Sequence, residues 1–231
     1  MNVVQVKQVS KVFQGDSATP IKAVSEVSFV MEEGAFIALA GPSGSGKTTI
    51  LNLIGCLDCP TSGEIYLDGE KTNQLNQIEL ARLRLRKIGF IFQDFNLIPT
   101  LTAVENVEFV LWLQGIDTAQ RRKMATEICE RFGIGELIHR PPAQMSRGQQ
   151  QRVAIARAIV HRPRIVLGDE FTANLDHKTG ADLVDFLKEL NRKDRITFLY
   201  ATHDPVMMKR ADKIIKMQDG CLLETINAAG V

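Results

Sequence analysis

Apolar residues near the start of the chain come in short stretches separated by turn-forming residues. Val4, Val6 and Val9 predict an opening strand, and the alternation from Val24 to Met31 predicts a second one. Gly15-Asp16-Ser17 predicts the turn between them. We therefore expect an antiparallel β region at the N-terminal end of the protein.

A different pattern begins at Phe36. The run from Phe36 to Ala40 is wholly apolar, which is typical of a strand buried on both faces of a parallel sheet. A glycine- and serine-rich segment, 41–46, interrupts it. From Lys47 to Ile54 apolar residues recur at helical spacing, and Gly55 predicts the end of that helix. The succession of strand, loop and helix indicates an α/β core.

The middle of the chain has helical patterns such as Arg121 to Phe132, broken at Pro141-Pro142, and the core pattern resumes near Ile165. The later predicted elements are a strand at 165–167, a helix at 178–191, a buried strand at 196–201 and a last strand at 213–217, before a turn at 219–220. We predict one α/β domain with a mostly parallel sheet. Residues 1–93 and 161–231 form its core, with an antiparallel N-terminal β subdomain, and 94–160 form an inserted helical subdomain.

Composition narrows the class of protein. The 231 residues are 45% apolar and 24% charged, and 28 Lys and Arg balance 27 Asp and Glu. A net charge of +1 argues against a protein whose main task is to bind nucleic acid, since such domains are strongly basic. The longest apolar runs are far shorter than the roughly 18 residues that would cross a bilayer. The first residues lack the pattern of a secretory signal, so we expect a cytoplasmic protein that does not itself span the membrane.

Four cysteines, Cys56, Cys59, Cys129 and Cys221, are too few for a disulfide scaffold in a chain of this length. Cys56 and Cys59 form a CxxC pair, a spacing that can bind zinc or carry redox chemistry. A structural zinc site needs about four ligands, and no second pair follows. We predict two free thiols after a helix.

The segment between the predicted strand and helix fits the phosphate-loop pattern GxxxxGK[ST] at every fixed position. Its residues are Gly41, Pro42, Ser43, Gly44, Ser45, Gly46, Lys47 and Thr48, followed by Thr49. Glycines let the backbone fold tightly around an anion, and the helix adds its positive N-terminal end. We expect Lys47 to contact the β- and γ-phosphates and the Thr48 hydroxyl to bind magnesium. The alternative is a glycine-rich turn that matches the pattern by chance.

Two carboxylates follow the apolar strand near Ile165. Asp169 at the strand end is placed to hold the magnesium ion through water. Because neighbouring strand residues point to opposite sides, we expect Glu170 to be free for another task. Our hypothesis is that Glu170 is the general base for the water that attacks the γ-phosphate. The alternative is an exposed acidic turn.

Further motifs make the chain resemble the ATP-binding subunits of ABC transporters over essentially its whole length. They are the Q-loop glutamine Gln93, the signature motif Ser146–Arg152, the D-loop Asn174-Leu175-Asp176 and the switch histidine in Thr202-His203-Asp204. All of them occur in the family's order. The resemblance implies an ATPase that uses ATP and Mg²⁺.

The same resemblance implies roles for single residues. Phe13 would stack on the adenine ring, although it could instead be a core residue of the first hairpin. Gln93 would contact the magnesium ion and the attacking water and report the nucleotide state to a membrane partner. His203 would bind the γ-phosphate, and Asp176 would belong to the nucleotide site through the D-loop.

The signature motif begins with a capping box, since Ser146 precedes Gln149 by three residues ahead of an apolar-periodic run. In the family this helix N-terminus meets ATP bound to a second subunit. The resemblance therefore implies that Ser146, Gly148 and Gln149 contact nucleotide across a dimer, with two identical chains enclosing two ATP molecules. Opening and closing of the dimer would drive a membrane permease.

Three residues depart from the family pattern. Arg147 replaces a signature glycine, and we expect it to be tolerated near the phosphates, with a cost of roughly 1 to 2 kcal/mol if its backbone is left-handed. Phe171 stands where the family prefers proline after the catalytic glutamate, and Ala173 replaces a common glycine. Both lie next to the D-loop, so they bear on turnover rate.

Segments around 55–64, 92–99 and 101–107 resemble the branch that includes the lipoprotein-releasing ATPase and the macrolide-exporter ATPase domain. That branch implies a separate permease chain, a place on the inner face of the bacterial inner membrane, and no contact with the transported substrate. Three functions are the alternatives to transport. They are a signalling ATPase of the cell-division type, a DNA-repair or translation ATPase, and a GTPase or kinase, for which Asn191-Arg192-Lys193-Asp194 is a near match to the guanine-reading pattern.

Overall fold

A computed structural model of the chain describes residues 1–14 and 20–227. The turn predicted at Gly15-Asp16-Ser17 lies outside these residues. Within them the strands are β1 (Asn2–Phe13), β2 (Ile21–Glu32), β3 (Phe36–Ala40), β4 (Ser62–Leu67), β5 (Glu70–Lys71), β6 (Ile88–Ile91), β7 (Ile165–Asp169), β8 (Thr197–Thr202), β9 (Lys213–Gln218) and β10 (Cys221–Asn227). The α-helices are α1 (Lys47–Ile54), α2 (Gln77–Lys87), α3 (Ala103–Leu113), α4 (Thr118–Arg131), α5 (Arg147–Ile159), α6 (His177–Asp194) and α7 (Pro205–Met208).

A four-stranded antiparallel sheet in the order β2-β1-β4-β5 contains both predicted N-terminal strands. Val4, Val6 and Val9 of β1 are buried, as the apolar spacing predicts. Met31 of β2 is also fully buried. The predicted antiparallel β region is confirmed.

A second sheet of six strands has the order β10-β9-β3-β8-β7-β6. Strands β9, β3, β8, β7 and β6 are parallel to one another, and every residue of β3 is buried. The carboxyl ends of parallel strands share one edge, where ligands bind in open α/β sheets. The loops after β3, β7 and β8 therefore meet at that edge, and the predicted fold class is confirmed.

The prediction that the strand at 213–217 is the last one was wrong. Asp219 and Gly220, at φ 49° and 77°, turn the chain into β10, which pairs with β9 in an antiparallel hairpin. Most residues of β10 are exposed because it lies at the sheet edge. An edge strand has a weak burial pattern, so its apolar positions gave little signal.

Helices α3, α4 and α5 pack against one another in the part of the chain predicted to be a helical insertion. Their apolar residues join one face of the six-stranded sheet in a continuous core. The division of the chain at residues 94 and 160 stays a prediction. None of the helices in 1–14 and 20–227 is long and apolar enough to cross a bilayer.

Candidate functional site

The segment 41–46 joins β3 directly to α1, as the phosphate-loop pattern requires. Gly46 has φ +97°, and a Cβ atom there would lie 2.5 Å from the Ala23 carbonyl oxygen. A Cβ at Gly41 would lie 2.3 Å from the Met217 oxygen. Only glycine fits where the loop packs this closely against β2 and β9.

The loop borders a cavity of about 180 Å³. Its lining residues are Ala23, Ser43, Gly44, Gly46, Lys47, Thr48, Thr49 and Glu170. The first backbone N–H groups of α1 have no partner within a helix, and the helix dipole adds positive potential at this end. The cavity is therefore suited to an anion.

Lys47 is 95% buried, and its Nζ donates hydrogen bonds to the carbonyl oxygens of Gly41 and Pro42, both at 2.9 Å. No carboxylate is paired with Lys47 within the described residues. A charge held only by carbonyl groups of the loop is available to a phosphate that enters the cavity. The predicted phosphate contact of Lys47 stays a prediction that this geometry permits.

Two buried oxygen atoms beside the loop lack hydrogen-bond partners among the residues that the structure describes. They are Oγ of Ser45 and Oδ1 of Asp169. Burial raises the pKa of the Asp169 carboxyl, an effect that the Thr48 hydroxyl and the Lys47 charge oppose in part. Buried polar atoms are ordinarily satisfied, so atoms left open here point to a ligand. A carboxylate and a hydroxyl are oxygen donors of the kind Mg²⁺ prefers, and Asp169 and Thr48 fit that ion.

Glu170 lies one residue beyond the end of β7 and has a left-handed backbone, with φ 41°. Strand alternation therefore does not set the direction of the Glu170 side chain, because this residue lies in the loop beyond the strand. Its Oε1 atom lies 3.2 Å from Nδ1 of His203, which follows β8. Since the carboxylate accepts, Nδ1 of His203 is the donor in this contact. The structure thus brings two of the three predicted catalytic side chains, Glu170 and His203, together beside the phosphate loop.

Gln93 is exposed after β6, and its backbone oxygen accepts a hydrogen bond from Asn174 Nδ2 at 2.9 Å. Asn174 also lies 3.3 Å from the Asp94 carboxylate. Arg157 of α5 donates to the backbone oxygens of Phe95 and Asn96. The Q-loop is thereby fastened on one side to the D-loop and on the other to the signature helix. The sequence motifs mark these segments but do not reveal the bonds between them.

The capping box predicted at the start of α5 is present. Ser146 Oγ accepts from the Gln149 backbone N–H, and the Gln149 side chain accepts from the Ser146 N–H. Gln149 lines a separate hollow with Glu130 and Leu137, not the phosphate-loop cavity. Gly148 belongs to the same first turn. One chain therefore does not bring its signature residues to its own phosphate loop.

Arg147 is the first residue of α5 and does not have a positive φ. Arg147 therefore carries no strain from a left-handed backbone. The side chain is exposed. Its cation at a helix N-terminus remains mildly unfavourable unless an anion lies near.

Phe13 is 42% exposed at the end of β1, so it is not a core residue of the hairpin. Its adenine contact stays a prediction. Asp176 caps α6, accepting from the Thr179 backbone N–H at 3.0 Å. Hydrogen bonds from the Thr179 side chain, and to a lesser degree from its backbone, lower the pKa of the Asp176 carboxyl. Any nucleotide role of Asp176 is additional to capping.

Phe171 is buried, and its ring packs edge-on against Tyr200 with centroids 6.0 Å apart. It replaces the family's proline with an aromatic anchor for the loop after β7. The Ala173 backbone N–H donates to the Glu170 oxygen at 2.9 Å, so this loop is a closed turn. Both departures are accommodated without displacing Asp169 from the end of β7.

Two further motifs, the CxxC pair and the segment 191–194, show no sign of a metal or nucleotide role in the described residues. Cys56 and Cys59 are unlinked, and burial raises the pKa of the Cys56 thiol to about 11. In the described part of the chain no group of three or more His, Cys, Asp or Glu side chains is arranged to hold a metal ion. Asn191 is buried in α6 and donates to the oxygens of Gly34 and Ile196, at 2.8 and 2.7 Å, so it serves the fold.

Comparisons with known proteins agree with this geometry. The family model described as ABC transporter matches residues 24–173. The uncharacterized ABC transporter ATP-binding protein MJ1508 of Methanocaldococcus jannaschii is 44% identical, over 97% of this chain and all of its own length. A solved dimeric structure of the ATP-binding cassette MJ0796, bound to ADP and Pi in a post-hydrolysis state, has a TM-score of 0.90 at 43% identity and covers 97% of this chain and 98% of its own.

A third relative is longer than this chain. The macrolide export ATP-binding/permease protein MacB of Hyphomonas neptunium is 40% identical over 96% of the chain, which corresponds to 34% of that protein. The similarity thus covers about a third of the longer protein.

Proposed function

The chain belongs to the ABC transporter family of ATP-binding proteins, and from that premise we propose that it dimerises around ATP to drive a separate membrane permease. As a member of this family it is an ATPase that takes ATP with Mg²⁺. The observation that carries the proposal is the meeting of a phosphate loop, the open Oδ1 atom of Asp169 and the Glu170–His203 pair at one sheet edge.

The proposed roles in hydrolysis follow from chemistry and position. The loop backbone and Lys47 hold the β- and γ-phosphates. Thr48, Asp169 and Gln93 hold Mg²⁺, which neutralises charge on the phosphates when bound. Glu170 accepts a proton from the attacking water. His203 orients Glu170 through the 3.2 Å contact and can face the γ-phosphate with its other nitrogen.

The dimer is proposed because a single chain leaves its signature residues away from its own phosphate loop. In the second copy, Ser146, Gly148 and Gln149 would supply a capped helix N-terminus to the ATP held by the first. The dimeric state of the MJ0796 cassette supports this arrangement. A two-fold dimer would then contain two equivalent composite sites.

The transport partner is proposed from the names of relatives. MacB joins an ATP-binding part and a permease in one chain, and this chain matches the ATP-binding portion of its length. We infer that the protein acts together with a permease, at the inner face of the membrane that holds it. Export, or release of a lipoprotein or lipid from the inner membrane, is the direction that this branch supports. The transported molecule would not touch this subunit.

The first experiment tests hydrolysis. Glu170→Gln should keep ATP binding and lower kcat by at least about a hundredfold, as expected for loss of a general base. Exposed Glu189→Gln is the matched control and should hydrolyse ATP at the wild-type rate. Wild-type turnover in the Glu170→Gln protein would show that the base has been assigned to the wrong residue.

The second experiment tests the partner. Tagged Glu170→Gln protein is incubated with ATP and Mg²⁺ and recovered from detergent-solubilised membranes of its source, with Lys47→Ala as the control that should not bind ATP. Recovery of a permease with a large extracytoplasmic domain would support export. A cell-division partner would support signalling instead, and recovery of no membrane protein would contradict the transport role.

A further inference from the structure

Lys11 of β1 contacts the segment 56–59 and the ring of Phe13 on its own strand. Its Nζ donates to the Asp58 carboxylate at 2.6 Å and to the Cys59 backbone oxygen at 2.8 Å. The same nitrogen lies 5.0 Å from the centroid of the Phe13 ring. The Lys11 side chain is only 14% exposed. Its ammonium group is therefore fixed against one face of Phe13 by acceptors in the segment 56–59.

Phe13 lies near the phosphate loop along the sheet. It pairs with Ile21 of β2, two residues before Ala23. Ala23 lines the loop cavity, and its carbonyl oxygen lies against Gly46. An aromatic ring that is 42% exposed at this position can receive a ligand on the face that Lys11 does not cover.

We propose that Lys11 is a positioning residue for the base of the nucleotide, acting through Phe13. This inference rests on the proposed function and deepens it. It names a residue that raises the affinity for the purine base and leaves the affinity for the phosphates unchanged. It also gives the CxxC segment a role through Asp58 and the Cys59 carbonyl group, with no redox chemistry.

Two physical effects support the proposal. A cation over the ring restricts its rotation, so less conformational freedom is lost when a base stacks on it. The cation also draws electron density toward the covered face, which leaves the open face better suited to an electron-rich purine. Both effects require that the ammonium group stay where Asp58 and Cys59 hold it.

The test compares a nucleotide with a ligand that lacks the base. Binding of ADP and of inorganic pyrophosphate is measured by calorimetry, with pyrophosphate in competition against ADP. Lys11→Met should weaken ADP binding by about three- to tenfold, the cost of immobilising one more side chain on binding, and leave pyrophosphate binding unchanged. Lys11→Arg should restore ADP binding to within about twofold of wild type, because its guanidinium can also cover the ring. With ATP as substrate, Lys11→Met should raise KM and leave kcat unchanged.

Lys7 offers a matched control on the same strand. Its Nζ lies 4.5 Å from the Tyr66 ring centroid, and the side chain is exposed. Lys7→Met should leave binding of both ligands unchanged. In a Phe13→Leu background, Lys11→Met should have no further effect, since the two residues would act as one unit.

Several outcomes would overturn the inference. Equal weakening of ADP and pyrophosphate by Lys11→Met would show a structural role only, and unchanged ADP binding would exclude any role. The proposed function has its own check: Lys47→Ala should abolish ADP binding. If it does so while Lys11→Met has no effect, only the inference on Lys11 fails. If Lys47→Ala still binds ADP normally, the assignment of the phosphate site fails.

Discussion

Asp169 combines a half-buried carboxylate with an oxygen atom that no group in the described chain satisfies. Such an atom costs stability unless a ligand completes it. The sequence indicated Asp169 from its place after an apolar run, yet it could not show that the atom is open. That property depends on the loops from β3 and β8, which come together only in the fold. The same holds for the contact between Glu170 and His203.

Asp169→Asn should stabilise the ligand-free protein by about 1 kcal/mol at pH 7, because a buried amide is cheaper than a buried carboxylate. The rise of the Asp169 pKa on folding means that its carboxylate destabilises the fold at neutral pH and not at acid pH. The gain should therefore shrink toward pH 4. Urea unfolding at both pH values checks this, with exposed Asp182→Asn as control. The variant should also lose the thermal stabilisation that ATP and Mg²⁺ give the wild type, and its retention would exclude Asp169 from the metal site.

His161 makes the stability of the folded protein depend on pH. Its Nε2 donates to the Ile88 oxygen at 3.2 Å, its buried Nδ1 has no partner in residues 1–14 and 20–227, and burial lowers the pKa of the ring to about 4. The unfolded chain takes up a proton near pH 6.5 and the folded chain does not, so stability falls as pH drops from 6.5 toward 4. The loss reaches about 2 kcal/mol by pH 5.

His161→Gln keeps a donor and cannot be protonated, so it should remove most of that loss. Denaturant unfolding at pH 7 and pH 5 measures it. Exposed His139→Gln serves as the control and should behave as wild type. An equal loss of stability in His161→Gln and wild type would show that other groups cause the acid sensitivity.

At the scale of elements, the sequence predicted strands and helices best where burial is complete. The prediction for α1 matches the structure, and β3 is apolar along its whole length because both sheet faces are covered. Strand β10 was missed because an edge strand buries little. The turn after β7 was misjudged because the left-handed backbone of Glu170 has no sequence signature. Local patterns record burial, while loop geometry depends on distant contacts.

Gly168 and Phe171 should act as a unit in the loop after β7. A Cβ at Gly168 would lie 2.7 Å from Phe171 Cδ1 and 3.2 Å from Tyr200 Cβ, where a buried ring has little room to move. Gly168→Ala should therefore destabilise the protein by about 1–3 kcal/mol. The cost should fall below about 1 kcal/mol in a Phe171→Leu background, measured as a double-mutant cycle in urea. Equal costs in both backgrounds would mean that the ring does not require glycine at 168.

At the scale of the whole molecule, the order of motifs along the chain predicted the fold class and the separation of the signature from the phosphate loop. The structure adds how the parts are linked. Asn174 binds the D-loop to Gln93, and Arg157 binds α5 to residues 95 and 96, which follow Gln93. The sequence could not give these links, because they depend on packing between the helices and the sheet. Through them, movement of α5 toward a second chain would reach the Q-loop.

The composite site is the central claim, and the mass of the Glu170→Gln protein in solution tests it most directly. Light scattering should give 25.7 kDa without nucleotide and twice that mass with ATP and Mg²⁺. Ser146→Arg in the same background should remain at the mass of one chain, because its blocked helix N-terminus cannot meet the partner's ATP. A Glu170→Gln protein that binds ATP and stays a monomer, or a dimer that Ser146→Arg leaves intact, would contradict the account.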